Sequence, residues 1–200
     1  MDIKTKVKKL QGLYREFEEK ARPYREGALC AAGCADCCIN VGSVDAVTLE
    51  GWVIAERLKT MDPGRRVRFM RTLEENARVK QEAVLARCAF LMDNHICAIY
   101  PARPFSCRRL YSLVRCGENG PTVHRELWRI AEETVKAIQQ LDAGGCSGHL
   151  SYILLLLQEP LLRKAYLDDG LTQQLMSRVA FAKNLSWNSV DRWRQTARVG

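Results

Sequence analysis

The stretch Cys30-Ala31-Ala32-Gly33-Cys34-Ala35-Asp36-Cys37-Cys38 puts four thiols into nine residues. On a helix each residue advances ~100°, so the four thiols would fall within an arc of roughly 100°. The adjacent pair Cys37 and Cys38 would share that side, whereas neighbours on a strand point to opposite faces. A second group follows: Cys88, Cys97 and Cys107, at steps of nine and ten residues. Those steps are too wide for one local clamp. They suit ligands delivered by a loop to a site begun at residues 34–38. A stripe of thiols without a metal would be exposed and prone to oxidation. Reading them as small buried apolar residues is weaker, because free cysteines do not normally pack four to a helix face. For Cys116 and Cys146, outside both groups, simple burial serves equally well.

Working outward, the flanks read as helix. Ile3, Val7, Leu10, Leu13, Tyr14 and Phe17 recur at three- and four-residue steps, which predicts an amphipathic helix over 3–22. Asn40 and Gly42 suit a stop. Ser43 reads as an N-cap for a helix to about residue 58. Asp62-Pro63 starts a helix to about residue 87, with Val67, Met70, Leu73, Ala77 and Val84 on one face. Residues 88–121 lose the periodicity and hold four cysteines with Pro101, Pro104, Gly117, Gly120 and Pro121. A segment of that length without periodicity is usually functional or ordered by a metal. Helix resumes over 122–141, then over 149–167 with a break at Pro160, and over 171–184. The end, with Trp187 and Trp193, predicts a short docked helix. The expected fold is all-α: a single helical domain, residues 1–200, with an inserted cysteine-rich metal-binding loop. Its cysteine-rich metal-binding core spans 28–116 and its helical C-terminal part spans 121–200.

The bulk numbers narrow the class. The chain has 200 residues with 47 % hydrophobic content, enough for one domain with its own core. The longest apolar run, 152–157, is far short of the ~20 residues that span a bilayer. The basic N-terminus lacks the apolar stretch of a secretory signal, so a reducing cytoplasm is the expected setting. There, nine cysteines point to metal ligation or redox chemistry rather than disulfides. The formal charge is +8, which suits an anionic partner or offsets thiolate charge.

A structural zinc site takes four tetrahedral ligands, often as two spaced pairs. Here seven cysteines crowd two segments and two are adjacent. A four-iron cluster can place adjacent thiolates on different irons. A 4Fe-4S cluster is therefore the expected cofactor, with zinc as the alternative.

Cys34-x-x-Cys37-Cys38, Cys88-x-Phe90-Leu91 and Cys97-Ala98-Ile99-Tyr100-x-x-Arg103-Pro104-x-x-Cys107-Arg108 together resemble the CxxCxxCC (YkgJ-like) family of zinc- or iron-chelating proteins. The flagellin lysine N-methylase is a relative of that family. The resemblance covers residues 30–108, about two fifths of the chain, and the block over 97–108 is specific. Three features depart from the pattern. Three residues, not two, separate Cys30 from Cys34; Ala89 stands where the family often has Pro; Cys116 and Cys146 lie outside the motif. The resemblance implies a metal centre, a 4Fe-4S cluster through the methylase, and no defined reaction.

The candidate metal ligands are Cys30, Cys34, Cys37, Cys38, Cys88, Cys97 and Cys107. Tyr100, Arg103 and Arg108 are candidates for contacting the cofactor or a substrate, by offsetting thiolate charge or gripping an oxyanion. For Arg109 neither such a role nor surface solvation is favoured. His95 reads as an exposed loop residue before a ligand. Cys146-x-x-His149 has zinc-like spacing but no partner pair nearby. His124 reads as structural, and Asp45 and Glu50 as a solvated helix face. The run 153–157 reads as core.

Two functions follow as expectations. One is an iron–sulfur protein supporting electron or methyl-group transfer, an oxidoreductase or a protein lysine methylase-like enzyme. The other is a non-catalytic zinc or iron protein for storage, delivery or sensing. The spacing Cys30-x3-Cys34-x2-Cys37 matches radical enzymes that cleave S-adenosylmethionine, but no strand–helix alternation supports their barrel. Expected partners are a protein or a small anionic substrate. A membrane is not expected. Nucleic acid is disfavoured, because Arg65, Arg66, Arg68 and Arg71 share no helix face and no aromatics interleave.

Overall fold

The computed structural model describes residues 1–31, 33–39, 43–83, 85–117 and 120–189. In chain order its elements are α1 (Ile3–Ala21), α2 (Asp36–Ile39), β1 (Asp45–Val47), α3 (Thr48–Lys59), α4 (Pro63–Glu82) and α5 (Phe105–Arg108). Then come α6 (Arg125–Leu141), β2 (Cys146–His149), α7 (Leu150–Gln158), α8 (Pro160–Leu167), α9 (Gln173–Met176) and β3 (Ser186–Trp187). The chain is mainly helical, but it is not all-α. The three short strands form an antiparallel sheet in the order β1-β2-β3, with Ala46 opposite Gly148 and Cys146 opposite Trp187. Strands this short carry too few residues to display a two-residue alternation.

The sheet changes several expected helix boundaries. Ser43 does not cap a helix; its hydroxyl donates to the Asp45 carboxylate at 2.5 Å, and helix begins only at Thr48. Trp187 lies in β3 rather than in a docked helix, and helix over 171–184 contracts to α9 and a 3-10 turn at Ala182–Asn184. α4 stops at Glu82, where Ala83 turns extended. Asn40, Gly42, Val84 and Trp193 lie outside the described residues.

Where the caps are conventional, the helices start as expected. Asp2 accepts the Thr5 amide at 3.0 Å, and Asp62 accepts that of Arg65 at 2.9 Å. His124 caps α6, its Nδ1 accepting from the Glu126 amide at 3.1 Å. The break at Pro160 separates α7 from α8. α7 is buried on nearly every side, through Leu150, Tyr152, Ile153, Leu154, Leu156 and Leu157, so the 153–157 run is core. α3 crosses it closely enough that a Cβ on Gly51 would collide with Ile153. α1 and α6 lie together and bury Leu10, Phe17, Leu127 and Ile138. Among the described residues, no helix is long and apolar enough to cross a membrane.

Two buried carboxylates join these elements. Asp142 is wholly buried; it accepts from Leu49 N–H at 2.9 Å, the Tyr166 hydroxyl at 2.8 Å and Asn188 Nδ2 at 3.1 Å. It thereby caps α3 from the far end of α6. Glu50, 4 % exposed, accepts from Tyr14 Oη at 2.5 Å, Phe105 N–H at 2.6 Å and Val47 N–H at 3.0 Å. The expectation of a solvated Glu50 is thus overturned: its face of α3 packs against α1 and α5.

Removing the Asp142 carboxylate would strand two buried donors, Leu49 N–H and the Tyr166 hydroxyl, while Asn188 Nδ2 keeps the Asp142 carbonyl, so Asp142→Ala should lose about 2–5 kcal/mol of stability by urea unfolding. Burial also pushes the Asp142 carboxyl up to about 7, outweighing the donors that favour its charge. The fold then holds a proton that the unfolded chain, near 3.8, has already released. That stabilisation is fully present below pH 3.8 and lost as the pH rises through about 7. Urea midpoints across this range should decline in the native protein, and Asp142→Asn should remove this part of the decline.

Candidate metal centre

The thiols arrive from three separate segments. Cys37 and Cys38 sit on α2, a single turn. Cys30 and Cys34 precede it in a loop, where the Cys34 amide donates to Ala31 O at 3.0 Å and Gly33 holds a φ of +86°. That left-handed backbone stops a helix from running back through Cys30, so no four-thiol helical stripe forms.

Cys88 is fixed against α2, its amide donating to Cys38 O at 2.7 Å. Just upstream, the buried Asn76 of α4 donates to Arg87 O at 2.7 Å and accepts from the Ser151 hydroxyl at 2.6 Å. A tight hairpin turn returns the chain, with Ala98 N–H donating to Phe90 O at 2.9 Å and Leu91 bridged to Cys97. Its tip carries His95, exposed and at φ +62°. Cys107 comes from α5. The first residue of α5, Phe105, is held twice, by Glu50 through its amide and by Phe17 through an edge-on ring contact at 4.7 Å.

Electrostatics sort the thiols into two groups. In the inner group, Cys38 interacts directly with Cys37 and with Cys88. Cys97 feels Cys37, and Cys107 feels Cys37, Cys38 and Cys97. The Cys38 thiol and then burial push Cys37 far up. Cys37 pulls Cys38 down, but Cys88 and burial outweigh it and leave Cys38 at about 12. Burial pushes Cys97 and Cys107 up, with Arg103 opposing in both. In the outer group, Cys116 is pushed up by burial and by Asp36, Cys30 and Cys34. Cys30 is tied to that side of the molecule, its Sγ accepting from Ser112 N–H at 3.3 Å. Cys116, which lies outside the motif, therefore stands with the two cysteines that precede α2.

The basic residues divide by role. Arg103 lies beside the inner thiols, stacks on Tyr100 at 3.9 Å and has a buried Nε with no partner. Tyr100 is 60 % exposed, so it forms an outer face of the site. Arg108 is committed to architecture: it donates to Arg103 O at 3.0 Å and Pro101 O at 2.9 Å, and stacks over Tyr14 at 4.4 Å. It locks the loop before α5 onto α5 itself. Arg109 is half-buried: its Nε is buried with no partner among the described residues, and its guanidinium stacks on Trp128 at 4.8 Å.

The Cys146-x-x-His149 pair is not a chelating unit. The two residues are three apart on β2, so their side chains leave opposite faces. Cys146 packs in the core against Thr48 Oγ1 at 3.3 Å, while the His149 Nδ1 accepts from Ser151 N–H at 3.4 Å. Glu50 is the residue whose importance the sequence concealed. Its only signal was a lone carboxylate inside the apolar stretch 46–55.

A cation fits the inner group chemically. Thiols of this group would lose their protons to a thiophilic metal, and the Arg103 Nε, which has no partner among the described residues, could then donate to thiolate sulfur. The thiols do not already stand as a cage. Among the described residues, no three His, Cys, Asp or Glu side chains are in metal-holding geometry.

Comparison with known proteins agrees with this chemistry. No curated protein and no solved structure matches the chain. A family model described as "CxxCxxCC: Putative zinc- or iron-chelating domain" matches residues 29–138. That segment spans more than half of the 200 residues and contains both thiol groups, and the chain belongs to this CxxCxxCC family.

Proposed function

We propose that the protein holds one metal centre on Cys37, Cys38, Cys88, Cys97 and Cys107, with Arg103 offsetting its charge. The observation that carries this reading is the convergence of α2, the 88–97 hairpin and α5 on one set of interacting thiols. Cys30 and Cys34 stand apart with Cys116, so the inner centre does not need them.

Within this reading, a 4Fe-4S cluster is favoured over a single zinc. Either centre takes four of the five thiols, but two of them, Cys37 and Cys38, are adjacent in sequence, and a four-iron cluster can place adjacent thiolates on different irons. Such a cluster supplies one-electron transfer when bound. The chain's own residues set its surroundings: Arg103 holds positive charge beside Cys97 and Cys107, and Tyr100 stacks on the outer side of Arg103. All nine cysteines are free thiols, which suits a reducing cytoplasm.

Protein purified without oxygen should carry iron and acid-labile sulfide in equal amounts, with a brown absorption band that bleaches on reduction. Colourless protein with stoichiometric zinc and no sulfide would replace the cluster with a zinc centre and leave the ligand set standing. Cys107→Ser and Cys88→Ser should lose most of the metal by elemental analysis, whereas Cys30→Ser should retain it. Equal loss in all three variants would break the division into two groups. Glu50→Gln keeps one acceptor oxygen, enough for Tyr14 and Phe105, but sets its amide NH2 against the Val47 N–H, so it should lower metal content along with thermal stability.

A further inference from the structure

On the other side of α5 from the thiols lies a cavity of about 550 Å³, between the sheet and α6. This size is ordinary for a small-molecule site. Its walls are apolar where Val47, Phe105, Val135 and Ile138 line it. Two of its lining residues carry a buried donor with no hydrogen-bond partner among the described residues: Arg109, at Nε, and Tyr152, at its hydroxyl. Buried polar groups are almost always paired, so two orphans on one cavity wall need an explanation.

Neither group is free to swing toward solvent. Tyr152 is 3 % exposed, and its ring is held by a stack on Phe181 at 5.2 Å and an edge contact with His149 at 5.7 Å. The Asn184 side chain lies beside the phenol and favours its charged form against the effect of burial, but no hydrogen bond of normal geometry joins the two. Arg109 is pinned on Trp128. The carboxylates that line the same cavity are already engaged, Glu50 by three donors and Asp45, at the exposed rim, by the Ser43 hydroxyl. What the cavity lacks is therefore an acceptor, and beside a guanidinium that acceptor is an oxyanion.

We propose that this cavity binds a small organic oxyanion, a carboxylate or a phosphate on an apolar body, through Arg109 and the Tyr152 hydroxyl. The site does not depend on which metal the thiols hold. Ser106 and Arg109 line the cavity while Cys107, between them, belongs to the thiol group, so the oxyanion would lie across one helical turn from the metal.

Isothermal titration of the full-length protein at low salt tests this with benzoate and phenyl phosphate, and with benzyl alcohol as the uncharged control. At least one of the two anions should bind at one site per chain, and benzyl alcohol should not. Arg109→Met, which keeps the stem against Trp128, should weaken that binding by about tenfold or more. Tyr152→Phe keeps the ring contacts and should weaken it by about three- to tenfold. Which anion binds distinguishes a carboxylate from a phosphate ligand. No binding of either anion at millimolar concentration overturns the proposal. So does equal binding of benzyl alcohol, or affinity unchanged in both variants.

Discussion

Three donors from three elements meet on the Glu50 carboxylate: the Tyr14 hydroxyl of α1, the Val47 amide at the end of β1 and the Phe105 amide at the start of α5. Burial pushes this carboxyl up, and the same donors, with Arg108 nearby, favour its charge. A four-residue helix such as α5 has no stability of its own. It exists because Glu50 holds its first amide, Phe17 packs on its first ring, and Arg108 fastens its last turn to the preceding loop. Cys107 and the Arg109 wall of the cavity both inherit their positions from this arrangement. Asp142 plays the matching part at the other end, where one carboxylate stands in for a helix cap and joins α3, α8 and the residue after β3.

Much of the fold was legible because helix signals are local. Asp2, Asp62-Pro63, His124 and Pro160 each mark a boundary that the structure keeps. The sheet was not legible, because its pairing is long-range and its strands are too short to show a period; Ala46 meets Gly148 across a hundred residues of chain. The cysteine helix failed on one backbone angle: Gly33 at positive φ ends any helical continuation from α2 toward Cys30. The candidate thiols themselves were plain from residue type. Their division was not, since nothing local to Cys116 ties it to Cys30 and Cys34. Arg108 and Arg109, adjacent in sequence, proved to have unlike tasks, one in architecture and one on a cavity wall.

The inner thiols explain why a metal and this fold suit one another. Burial, together with neighbouring thiols, pushes Cys37, Cys38, Cys97 and Cys107 up, which favours the protonated thiol until a cation replaces the proton. A metal held by these thiols would release their protons on binding. Arg103, with its unpaired Nε, is already placed for the negative charge that results.

X-ray absorption at the metal edge of the natively loaded protein probes that account most directly. A cysteine-held centre predicts a first shell of sulfur alone, at about 2.3 Å, that is lost with the metal in Cys107→Ser. A first shell built of nitrogen and oxygen would contradict it, because the inner thiols would then not be the ligands.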